Sequence, residues 1–62
     1  MTVYELNQIC FNPIVIYTMC GDKEISIFTQ CNRNGEASIP ELFDECDIHK
    51  IWCEDDFIAV LI

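Results

Sequence analysis

Phe57-Ile58-Ala59-Val60-Leu61-Ile62 closes the sequence, and its reading decides the fold. Six apolar residues in a row, set directly after the acidic Glu54-Asp55-Asp56, call for burial on both faces of a strand. An inner strand of a sheet meets that need most simply, and the rest of the chain then has to supply neighbours and a cover. Immediately upstream, residues 48–53 alternate loosely, with Ile48, Lys50 and Trp52 against His49, Ile51 and Cys53. The acidic triplet is the turn that joins this strand to the terminal one.

Further back, Ser38-Ile39-Pro40-Glu41 has the form of a capping box, with Pro40 tolerated in a first turn and Leu42 and Phe43 pointing inward. A helix of about two turns is expected there. Asp44, Glu45 and Asp47 near its end oppose the macrodipole and make it a marginal element. Residues 31–37 carry turn residues without periodicity and read as the long surface connection.

The first half follows the same logic. Thr2-Val3-Tyr4-Glu5 is a capping box, with Met1 placed to staple onto Leu6, and Val3, Leu6, Ile9 and Cys10 form one helical stripe. Phe11-Asn12-Pro13 stops the helix. Residues 14–19 are β-branched and aromatic on both faces and read as a second inner strand. Gly21 supplies a tight hairpin turn. Residues 24–30 then alternate, Ile25, Ile27 and Thr29 against Ser26, Phe28 and Gln30, as a half-buried strand nearer an edge. The expected fold is a single α+β domain over residues 1–62, in the order α-β-β-α-β-β. Its antiparallel sheet has about four strands, the residue 14 and residue 57 strands central, one helix on a face and a second short helix.

Sixty-two residues lie near the lower limit for a self-sufficient core, and with 52% apolar residues a homodimer is expected. Eleven acidic residues against three basic ones give a net charge of −8. That field repels phosphate backbones and anionic lipid, so direct nucleic-acid and membrane binding are not expected, whereas a basic protein surface would be attracted. No apolar run approaches the roughly 20 residues of a membrane span, and no leader pattern follows Met1. Cys10, Cys20, Cys31, Cys46 and Cys53 are odd in number with no Cys-x-x-Cys pair. The expectation is a cytoplasmic protein with reduced thiols.

Cys31, Cys46, His49 and Cys53 are the residue types zinc prefers, but His49 and Cys53 on one strand would lie roughly 13 Å apart. No metal and no cofactor are therefore expected. A Cys/His nucleophile pair lacks room for an oxyanion hole and a substrate pocket, so no catalytic residue and no enzymatic activity are expected either. Glu41, Asp44, Glu45, Asp47, Glu54, Asp55 and Asp56 concentrate the charge without calcium-loop spacing. They are either a solvated face or a patch for an Arg/Lys-rich partner. His49 and Trp52 sit inside that frame, Trp52 being either an interface anchor or core.

Thr2-Val3-Tyr4-Glu5-Leu6, Ile39-Pro40-Glu41-Leu42 and the pattern Ile48, Ile51, Glu54-Asp55-Asp56, Ile58, Val60, Ile62 resemble the short open reading frames of phages and mobile elements of Firmicutes. Some small acidic proteins of that kind, anti-CRISPR and anti-defence inhibitors among them, occupy a host protein's surface. By size and charge, the resemblance implies an inhibitor in the host cytoplasm that blocks a basic, nucleic-acid-binding surface. The surface expected to do so is read from the residues themselves: Glu41, Asp44, Glu45, Asp47, His49, Trp52, Glu54, Asp55 and Asp56. Two alternatives stand beside it: a homo-oligomeric assembly protein working through an apolar second face of Val15, Tyr17 and Phe28, and a small Cys/His metal protein.

Overall fold

A computed structural model describes residues 1–10, 12–30 and 39–62. Helix α1 spans Val3–Ile9, strands β1 and β2 span Ile14–Cys20 and Lys23–Thr29, a single 3-10 turn spans Glu41–Phe43, and strands β3 and β4 span Lys50–Cys53 and Ile58–Leu61. The sheet order is β2-β1-β4-β3. The two apolar strands are thus side by side in the middle, as their composition requires, and each is joined to an edge strand by a hairpin.

The sheet is mixed, which corrects the expected all-antiparallel arrangement. Strands β1 and β4 run parallel, Ile14 beside Ile58 and Ile16 beside Val60, while both hairpins are antiparallel. Strand β3 runs in the direction of β2, and β4 in the direction of β1. A parallel pair needs a long connection between its strands. Of the connection between β2 and β3, residues 39–49 are described and are called the crossover below.

The crossover and α1 share one face. Val3, Leu6, Ile14, Ile16, Ile39 and Val60 form its buried centre, with Phe28, Phe43, Cys46, Ile48, Ile58 and Ile62 packed around them. The helix is fixed by its first turn. Thr2 and Glu5 make both bonds of the capping box, Thr2 Oγ1 accepting from the Glu5 amide at 3.2 Å and Glu5 Oε1 from the Thr2 amide at 2.9 Å. The two remaining first-turn donors reach the crossover: the Val3 amide donates to the Cys46 carbonyl at 3.0 Å and the Tyr4 amide to Asp44 at 3.1 Å. Every orphan amide of that helix end is therefore satisfied.

Several expectations change at the margins. The second helix is a 3-10 turn, because Pro40 stands outside it as an extended N-cap without a side-chain bond and the acids that follow discourage elongation. The Ser38 end of its capping box, the residue 31–37 connection, Cys31 and Phe11 lie outside the described residues. Ile9 is 66% exposed, since α1 ends there and the chain turns extended at Cys10. Met1 is exposed as well, and its carbonyl accepts from the Ile48 amide. Phe57 stands just before β4 in a bend, and Ile48 and His49 precede β3, each strand being shorter than its apolar run.

Strand β2 breaks its own alternation. Phe28 pairs with Ile16 and Ser26 with Tyr17, leaving Ile27 unpaired as a bulge. Phe28 and Ile25 consequently share the covered face with Ile16 and Thr18, three residues apart, where strict alternation would have parted them. Phe28 therefore does not belong to the second face with Val15 and Tyr17. Its ring meets Phe43 of the crossover at 6.0 Å. Gln30 is a buried polar residue, 4% exposed. Its amide donates to the Ile14 carbonyl and its Oε1 accepts from the Ile14 amide, which extends the ladder by one side chain.

Candidate functional site

Because α1 and the crossover both lie on one face, no described element covers the other. Val15, Tyr17 and Met19 of β1, Ala59 and Leu61 of β4, and Lys50 and Trp52 of β3 project from it by strand alternation and pairing register. Ala59 decides what stands there. It is fully buried, the smallest side chain of β4, and paired with Trp52 on one side and Val15 on the other. Over it the rings of Tyr17 and Trp52 approach from β1 and β3 to 5.3 Å between centroids, tilted by 35°. Both rings are half-buried and form a shelf.

Three charged groups frame the shelf. Trp52 Nε1 donates to Glu54 Oε1 at 2.9 Å, tying the ring to the acidic β3–β4 turn. Lys50 Nζ lies 5.1 Å from the Trp52 ring centroid, in cation–π geometry. The same ammonium is 3.9 Å from Glu24 Oε2, on the opposite edge strand, so the Lys50 side chain stretches across the open face. It is the one ion pair among the described residues. Both partners are exposed, and such pairs contribute about 0–1 kcal/mol.

The expected partner-binding residues fall into two groups. Glu54, Asp55 and Asp56 are exposed in the β3–β4 turn, next to Trp52. Glu41, Asp44, Glu45 and Asp47 lie on the crossover over the covered face, where the Asp44 carbonyl accepts from Tyr4 and Asp47 forms a bridge with Thr2. Both contacts are made by the backbone of Asp44 and Asp47. His49 is exposed at the end of β3 away from the acidic turn, its amide donating to the Leu61 carbonyl at 2.7 Å. Trp52 is thus on the open face, out of the core.

Tyr17 and Lys50 complete the shelf; Tyr17 was expected only in the working face of the assembly alternative, and Lys50 in neither surface. The outward phase of Tyr17 is visible in its alternation with the inward Ile16, but its partner ring lies two strands away. Among the described residues no three His, Cys, Asp or Glu side chains converge to hold a metal ion. Cys46 is half-buried against the core with its thiol directed to the Leu42 carbonyl, and Cys53 is exposed on the edge strand. Among the described residues no helix is long and apolar enough to cross a membrane. The Glu5 carboxyl is held below its usual range by the Thr2 amide and then the Thr2 hydroxyl. Compared with protein-family models, curated proteins and solved structures, the chain matches none.

Proposed function

We propose that the chain is a non-enzymatic binding module that docks on a basic protein surface through its open sheet face. The reading fits an inhibitor of phage type acting in a host cytoplasm on a nucleic-acid-binding protein. The observation that carries it is the placement of the Tyr17–Trp52 shelf on the face that no described element covers, bonded through Glu54 to the Glu54-Asp55-Asp56 turn. An aromatic pair with carboxylates alongside supplies an anchor and a field for a cationic partner, within a net charge of −8. Binding should weaken with salt, since exposed charges are screened within about 10 Å at 0.1 M.

The test is sedimentation of the chain with a panel of basic nucleic-acid-binding proteins and acidic controls at low and moderate salt. Association with basic members only, lost on charge reversal at Glu54, Asp55 and Asp56 and retained on reversal at Glu41 and Glu45, supports the proposal. Equal loss from both sets, or no association at low salt, defeats it. The exposed Met19 and half-buried Leu61 on the same face favour a second reading, a homodimer through that face. The −8 charge on each copy opposes it.

A further inference from the structure

Lys50 holds a position on the shelf that its own strand does not require. Its ammonium could extend from the edge strand into water, yet it lies over Trp52 and reaches Glu24 across the sheet. Its side chain keeps 61% of its exposure, so little fixes it there. We infer that Lys50 occupies, in the unbound protein, the place of a partner's arginine, whose guanidinium stacks on Trp52 between Glu24 and Glu54. The inference rests on the binding reading above and names its contact group.

Three observations and one property of the guanidinium group carry it. The ring of Trp52 already receives a cation at 5.1 Å. A carboxylate stands on either side, Glu24 bonded to that cation and Glu54 to the indole nitrogen. The guanidinium is flat, weakly hydrated and able to stack and to engage a carboxylate at once, which a second ammonium does less well. The alternative route of association, edge-to-edge strand pairing, is obstructed: β2 carries the Ile27 bulge and starts on Lys23, and β3 has only four residues and starts on Lys50. Displacing Lys50 breaks only exposed contacts, so the exchange is energetically shallow.

The experiment titrates the intact chain with oligo-arginine and oligo-lysine peptides of equal length at low salt, by calorimetry and by the fluorescence of Trp52, the sole tryptophan. Oligo-arginine should bind about two- to fivefold more tightly and alter the emission. Lys50→Met should tighten oligo-arginine binding by a further about two- to fivefold, beyond the effect of Lys23→Met, which removes the same charge from the other edge strand. Trp52→Leu should abolish the preference for arginine while leaving salt-dependent binding of both peptides. Equal affinities for the two peptides, or equal effects of Lys50→Met and Lys23→Met, overturn the inference and leave the binding reading standing. Failure of both peptides to bind overturns both. Self-association of Lys50→Met without peptide assigns the shelf to a second copy and overturns the arginine.

Discussion

Val60 and Leu61 are neighbours on β4 whose side chains lie on opposite faces, and truncating each to alanine measures how unequal those faces are. Val60 is fully buried between Ile16 and Ile51 in the pairing register and belongs to the core beneath α1 and the crossover. Val60→Ala removes two carbons, about 0.8 kcal/mol each in transfer, and leaves a walled cavity, so it should cost about 2–3 kcal/mol. Against the roughly 3–9 kcal/mol expected for a domain of this length, that is a large share. Leu61→Ala removes one carbon more, but from a half-buried side chain on the open face, where no cavity is enclosed. Its cost should be about 1 kcal/mol or less. Urea denaturation followed by circular dichroism reads both: with a slope of about 1 kcal/mol/M, Val60→Ala should lower the midpoint by about 2 M and Leu61→Ala by less than half of that. Equal costs, or a larger cost for Leu61, would refute the claim that the described elements cover only one face.

Gln30→Ala should destabilise by about 1–3 kcal/mol, because the buried Ile14 amide loses its acceptor, whereas Gln30→Glu should keep the bond at a desolvation cost; the same urea titration checks both. Thr2→Ala should cost about 0.5–2 kcal/mol through the lost N-cap. Glu5 contributes through its lowered pKa, so its share is present above the usual value of 4.5 and lost as pH falls through the folded value. The stability difference between wild type and Glu5→Gln, measured from neutral to acid pH, should therefore shrink below about pH 4.5 and stay level above it.

How much of this was legible follows from how local each feature is. The capping box at Thr2 and Glu5, the positive φ of 65° at Gly21 and the two inner strands are set by residues within a few positions of one another. The direction of β4 beside β1 is not, because it depends on the end of the sheet at which the chain re-enters at β3. Likewise the single extra residue at Ile27 shifts the phase of β2, so Phe28 lies under the crossover beside Phe43 even though each half of the strand alternates correctly. The acidic residues were visible as a cluster in sequence, yet β3 separates the crossover acids from the turn acids. The shelf was legible only by halves: Tyr17 and Trp52 each read as outward or ambiguous, and their meeting depends on Ala59 standing between them.

The central claim is that α1 and the crossover seal one side of the sheet while no described element covers the other, where Tyr17, Lys50, Trp52 and Leu61 keep contact with solvent. Paramagnetic broadening of side-chain proton signals by a neutral soluble nitroxide probe tests it most directly. The account predicts strong broadening at Tyr17, Lys50, Trp52 and Leu61 and protection of Ile14, Ile16, Val3 and Val60. Protection of Tyr17, Trp52 and Leu61 to the same degree as the core would contradict it.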